Sequence, residues 1–275
     1  MSQDTSQDHI SHKRVLFRLP GADAVVPRSE EYARTDAGPM TIDLYYPPSA
    51  TDAVPLAAVL FVTGYSDIGA QRMLGCKFKA MGAFVSWAQL AAASGLVGMT
   101  YENSHPYDVD QALDYIREHA DEFGIDARRI GVWACSGHVP NALSLLMERG
   151  EDIKCAAFLY GYTLDVDGAT DIADMAAKMK FVTVAAEKVV EDLPRDVPLW
   201  LVRAGQDGMP GLNHAFDRFV SKARAANLPM TVVDHATAPH AFDLLDDSAA
   251  TRQVIKNTLA FLQHHLANPD APRPV

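Results

Sequence analysis

Ile130-Gly131-Val132-Trp133-Ala134-Cys135-Ser136-Gly137-His138 is the stretch on which the reading of this chain turns. Ile130–Trp133 has the composition of a buried strand, and the small residues after it open a turn ahead of Asn141–Met147, whose apolar positions fall at helical spacing. Pro140 fits the first helical turn, where its missing N–H removes no intrahelical bond. A hydroxyl on such a strand–turn–helix stands above the carboxyl ends of a sheet. It faces helix N–H groups that stabilise negative charge. Ser136 is therefore a candidate nucleophile; the plainer alternative is an ordinary βα turn that contains a serine.

Working outward, apolar runs of strand length alternate with stretches of helix length. Strands are expected at Leu56–Val62, Gly98–Tyr101, Cys155–Leu159, Leu199–Val202 and Met230–Val233. Helices are expected at Ala83–Ala93, Val109–Glu122, Leu212–Ala225 and Thr251–Leu266. That rhythm implies an α/β fold, a mostly parallel central sheet with helices on both faces. Val15–Arg18, Glu31–Arg34 and Met40–Tyr46 read as short strands between Gly, Pro and Asp turns, hence an antiparallel N-terminal edge. The expected organisation is one domain over residues 14–268, with polar or proline-rich tails at 1–13 and 269–275. Between Leu159 and Leu199 about 40 residues intervene, more than a crossover helix needs. Residues 161–196 are therefore expected to form a small cap-like insertion over the carboxyl edge, with Met175 and Phe181 in an acyl-pocket wall or, alternatively, only packing the insertion onto the domain.

Composition narrows the functional classes. The 275 residues are 48% apolar and 21% charged, with a net charge of −11, so wholesale disorder and a basic nucleic-acid face are both disfavoured. Three cysteines without CxxC spacing suggest neither a disulfide framework nor a zinc cluster. No apolar run reaches the length of a membrane span, and Met1–Lys13 lacks the apolar centre of a signal peptide. A soluble, cytoplasmic protein without membrane or nucleic-acid partners is expected; oligomeric state is not encoded in these features. No metal-ligand spacing and no glycine-rich phosphate loop is visible, so no cofactor is expected.

Two later stretches complete the chemistry. Leu199–Asp207 is an apolar strand that ends on an acid, and Met230–Val233 is followed by Asp234-His235-Ala236-Thr237-Ala238-Pro239-His240-Ala241-Phe242. Strand-end Ser, strand-end Asp and loop His in that order can form a triad. The imidazole takes the serine proton, and the carboxylate fixes its tautomer and balances the imidazolium. Taken singly, Asp207 and His240 also read as solvated loop residues.

From about Met40 to Leu266 the chain resembles the α/β-hydrolases, nearest the dienelactone-hydrolase-like and carboxylesterase branch. The resemblance rests on the turn at Ser136, on Arg203-Ala-Gly-Gln-Asp207 and on Pro239-His240-Ala-Phe. Both outer glycines of the family's GxSxG elbow are replaced, by Ala134 and His138. The resemblance implies Ser136 as nucleophile, His240 as base and Asp207 as orienting acid. It also implies an oxyanion hole of the Tyr65 and Gly137 backbone N–H groups, with Thr63-Gly64-Tyr65 standing where the family has HG-x. Dienelactone hydrolases proper use cysteine, which makes the neighbouring Cys135 a rival; His235 is a rival base. Glu102 and His138 are candidate pocket residues, and His105 is an alternative beside Glu102. The implied activity is cofactor-free hydrolysis of small to medium carboxylic esters, lactones included. Alternatives are an amidase or peptidase with the same triad, and a non-catalytic ligand-binding protein on this fold.

Overall fold

Leu56–Phe61 (β3) alternates sides residue by residue. Ala58 and Leu60 enter one core with Val62, while Ala57, Val59 and Phe61 enter another. A strand buried on both faces needs helices on both faces, and the computed structural model, which describes residues 9–51, 54–179, 182 and 184–267, shows them. Around β3 are Arg28–Thr35 (β1), Gly38–Tyr45 (β2), Val97–Tyr101 (β4), Ile125–Cys135 (β5), Ala156–Leu159 (β6), Leu199–Ala204 (β7) and Met230–His235 (β8). They form one eight-stranded sheet in the order β1-β2-β4-β3-β5-β6-β7-β8. β1 and β2 are antiparallel to their neighbours, and every pairing from β4 to β8 is parallel. The mostly parallel sheet with an antiparallel N-terminal edge is thus as the sequence implies.

The helices are Asp67–Leu74 (α1), Gly82–Ala93 (α2), Asp108–Glu118 (α3), Val139–Arg149 (α4), Asp171–Met179 (α5), Leu212–Ala225 (α6), Phe242–Leu245 (α7) and Ala249–His265 (α8). α3, α4 and α6 cover one face through Leu113, Ile116, Leu143, Leu146 and Phe219. α2 and α8 cover the other through Phe84, Trp87, Leu90, Ile255 and Leu259. No helix among the described residues is long and apolar enough to cross a membrane.

Two expectations about the N-terminal region change. Val15–Arg18 is not a strand. Val15 and Phe17 are buried against α2 and α8, and the Val15 N–H donates to Ser86 Oγ at 2.9 Å and the Leu16 N–H to the Asp243 carbonyl at 2.9 Å. Alternate burial here comes from lying across helices, without a ladder partner. Within the stretch assigned to a tail, Ile10–His12 makes a helical turn with Ser11 buried. α1 was not anticipated, although its capping residues are in the sequence: Ser66 Oγ accepts the Gly69 N–H, and Gly75 closes the helix with φ of 76°.

Candidate active site

Strand parity decides which side chain the turn after β5 presents. Ile130, Val132 and Ala134 face the α3/α4 core, and Trp133 and Cys135 face the α2/α8 core. Cys135 is therefore the last buried residue of the strand, beside Tyr160 and Asp243, and burial pushes its thiol well above the ordinary range. A thiol held protonated is a poor nucleophile.

Ser136 follows with φ of 53°, a left-handed conformation that costs a non-glycine residue about 1–3 kcal/mol. The strain lifts the hydroxyl off the end of the sheet. The Tyr162 N–H, donating to the Ser136 carbonyl at 3.2 Å, helps to hold the turn, and a single helical turn, Ser136–His138, leads into α4. Although the elbow lacks its outer glycines, glycines in the loops after β3 and β6 give it room. A Cβ on Gly64 would come to 3.3 Å from the Gly137 carbonyl oxygen, and one on Gly161 to 2.2 Å from Val139.

Ser136 Oγ lies 2.9 Å from His240 Nε2, and His240 Nδ1 lies 2.6 Å from Asp207 Oδ2. The short contact to a carboxylate puts the proton on Nδ1 and leaves Nε2 to accept from the serine. The Asp207 side chain is fully buried and also accepts the Met209 N–H at 2.9 Å, while the His240 side chain is 26% exposed. The loops after β7 and β8 are laced together by Gly205 N–H to His235 O and Gln206 N–H to Ala238 O, both 2.9 Å.

Behind His240, the Tyr160 ring meets the imidazole edge-on at 5.1 Å. The Tyr160 hydroxyl and the Trp87 indole N–H each donate to Asp243 at 2.7 Å, and Asp243 is wholly buried. Burial raises the Asp243 carboxyl, an effect that these two donors partly offset. Sequence reading missed Asp243 and Tyr160; an acid three residues after the candidate base was the available signal.

The candidate oxyanion segment is held by buried polar groups. Thr63 exchanges hydrogen bonds with the Tyr101 hydroxyl, the Tyr101 O–H to the Thr63 carbonyl and the Thr63 N–H to the hydroxyl oxygen, both at 3.2 Å. Its carbonyl accepts from Asn141 Nδ2 at 2.8 Å, and its hydroxyl from Asn103 Nδ2 at 2.5 Å. The Gly64 N–H donates to His138 Nδ1 at 2.9 Å, and Tyr65 and Gly137 flank that bond in sequence.

The remaining candidates lie elsewhere or act otherwise. Glu102 is held by cations. It sits in an ion cluster with Lys77 at 2.7 Å, Lys79 at 3.5 Å and Thr41 at 3.2 Å; burial raises its carboxyl, but the lysines outweigh this and leave it below the ordinary range. His138 packs edge-on against Phe78 and Phe84, with ring centroids at 4.6 and 5.5 Å. Met175 is buried with Tyr162, Ile172, Leu212 and Ala215, which makes it a packing residue between α5 and α6. Phe181 lies outside the described residues. His235 is buried and bonded to Thr251 at 2.8 Å, away from Ser136, and His105 is exposed against Tyr107. Among the described residues, no group of three or more His, Cys, Asp and Glu is placed to hold a metal ion. A cleft of about 490 Å³ beside Arg28, Tyr46 and Phe123 opens at the amino ends of the strands, remote from the triad.

No family model and no curated protein matches the sequence. Solved structures do match in fold. A bacterial heroin esterase superposes with a TM-score of 0.68 at 15% identity, over 90% of this chain and 86% of its own. A thermophilic carboxylesterase from a metagenomic library gives 0.65 at 16% identity, over 88% and 90%. Esterase 2 of the planctomycete Thermogutta terrifontis gives 0.66 at 16% identity, over 95% and 99%; it has also been solved with butyrate, with propionate and phosphoramylated by tabun. The fold of this chain is the α/β-hydrolase fold.

Proposed function

From the α/β-hydrolase fold as premise, we propose that this chain is a cofactor-independent serine hydrolase of small to medium carboxylic esters, lactones included. The observation that carries the reading is the line Ser136 Oγ–His240 Nε2–His240 Nδ1–Asp207 Oδ2, at 2.9 and 2.6 Å, with the carboxylate buried. Ser136 Oγ bonds to the ester carbonyl carbon as its proton passes to His240 Nε2. The Tyr65 and Gly137 N–H groups receive the oxyanion. Collapse breaks the acyl–oxygen bond, and the imidazolium returns the proton to the departing alkoxide. Water then repeats the sequence on the acyl-enzyme, releasing the carboxylic acid and restoring Ser136.

Three considerations favour a serine ester hydrolase over the alternatives. The hydroxyl has a base in contact while burial raises the Cys135 thiol, which favours serine over cysteine as the nucleophile. The structural neighbours are esterases, one of them solved with short carboxylates. A binding protein would have no need of a strained serine held in line with a base and a buried acid. The test is a panel of p-nitrophenyl esters of increasing acyl length, run beside lactones and matched amides. An initial burst equal to the enzyme concentration on short esters, abolished by Ser136→Ala, is expected. Faster turnover of the amides would make the chain an amidase, and stoichiometric binding without turnover would make it a receptor.

A further inference from the structure

His138 stands where the elbow has glycine, and its side chain is not spent on packing alone. It leaves the elbow one residue after Gly137, crosses to the neighbouring loop and accepts the Gly64 N–H at 2.9 Å. The two segments it joins each carry one candidate oxyanion donor: Gly137 precedes His138, and Tyr65 follows Gly64. We propose that His138 is a positioning residue that clamps the two halves of the oxyanion hole together by fixing the Gly64 peptide against the elbow. This rests on the serine-hydrolase reading above.

The geometry leaves the clamp little slack. Gly64 lies so close to the elbow that a Cβ there would be 3.4 Å from the His138 Cα and 3.1 Å from the Asn141 Cβ. Upstream, the Thr63 N–H, carbonyl and hydroxyl are all bonded, to Tyr101, Asn141 and Asn103. The Gly64 N–H is the last backbone donor before Tyr65, so what holds it sets the plane of the next peptide, whose N–H must meet the oxyanion. Phe78 and Phe84, in contact with each other at 5.8 Å, both pack edge-on against the imidazole. Burial lowers His138 to about 4, so at neutral pH the ring is uncharged and Nδ1 keeps the lone pair that accepts. A clamp of this kind acts only when charge develops on the carbonyl oxygen, and its loss should appear in kcat.

Two variants separate the clamp from packing. His138→Phe keeps a ring against Phe78 and Phe84 but has no acceptor. His138→Asn is smaller, yet it can place Oδ1 near the position of Nδ1. Removing an oxyanion donor outright costs about 10²–10³ in kcat, and misaiming one should cost part of that. Expected for His138→Phe is a fall in kcat of about tenfold or more with KM within about threefold, and His138→Asn should recover most of it. Hydrogen exchange at the Gly64 amide should rise about tenfold in His138→Phe and return toward wild type in His138→Asn. Unchanged kcat in His138→Phe, or Asn as poor as Phe in both measurements, overturns the clamp. A wild type that shows no burst on esters overturns the hydrolase reading instead, and the exchange experiment still decides whether His138 fixes Gly64.

Discussion

Replacing Asp243 with alanine should destabilise the protein severely, although the residue touches no substrate. Its carboxyl is wholly buried and accepts from the Trp87 indole N–H and the Tyr160 hydroxyl, each at 2.7 Å. Alanine leaves both donors buried without that acceptor, at about 1–3 kcal/mol each. Part of this is regained because a carboxyl that burial disfavours is no longer confined there. A net loss of about 2–4 kcal/mol follows. In a chain of this size that lowers Tm by roughly 5–15 °C. The pH dependence has a definite sign. A carboxyl raised in the folded state binds its proton more tightly there than in the unfolded chain, so its contribution is full below the unfolded value and is lost as pH rises through the folded one. Asp243→Ala should therefore fall furthest below wild type at acid pH and converge on it as pH rises. Differential scanning calorimetry from pH 5 to 8 gives both results. A Tm within about 2 °C of wild type across that range would show that the Trp87–Asp243–Tyr160 group contributes nothing to stability.

Cys135→Ala should keep most of the esterase turnover, and thiol reagents should leave the folded wild type active; inactivation by an alkylating agent that spares Ser136 would return the nucleophile's role to sulfur. Met175→Ala should cost about 2 kcal/mol and quicken proteolysis within 161–196 while preserving the rank order of ester lengths, and a reordered preference would place Met175 in the acyl site. His138, lowered to about 4 by burial, is neutral in the fold at pH values where the unfolded chain protonates it. Stability should thus fall as pH drops from about 6.5 toward 4, by roughly 3 kcal/mol from this group, and urea midpoints of His138→Phe should lack that component.

The parallel core was legible because β3, β6, the second half of β5 (Ile130–Cys135) and Leu199–Val202 of β7 are apolar runs, the pattern of strands covered on both faces. The proposed triad residues, Ser136, Asp207 and His240, could be picked out because each stands at the end of a strand or in the loop that follows one, in an order that the topology can close. What escaped was set by tertiary contact. Val15 and Phe17 alternate like a strand yet are buried by helices, and no local signal separates the two cases. Glu102 follows β4 at the carboxyl edge, where a pocket residue would stand, but Lys77 and Lys79, more than twenty residues earlier, turn it into an ion pair. His138 looked like a defect in the elbow because its partner, the Gly64 amide, lies 74 residues away.

The central claim is that Ser136 is a nucleophile activated by His240 and Asp207. The most direct measurement is intact-mass spectrometry after incubation with a fluorophosphonate, followed by peptide mapping, on wild type, Ser136→Ala, Cys135→Ala and Asp207→Asn. One adduct per wild-type chain is expected, on the peptide that contains Ser136, with loss of ester turnover in step. Ser136→Ala should take none, Cys135→Ala should label like wild type, and Asp207→Asn should label orders of magnitude more slowly because its imidazole is no longer held in the productive tautomer. A wild-type chain that stays unlabelled while turning over esters, or an adduct that persists in Ser136→Ala, would contradict the account.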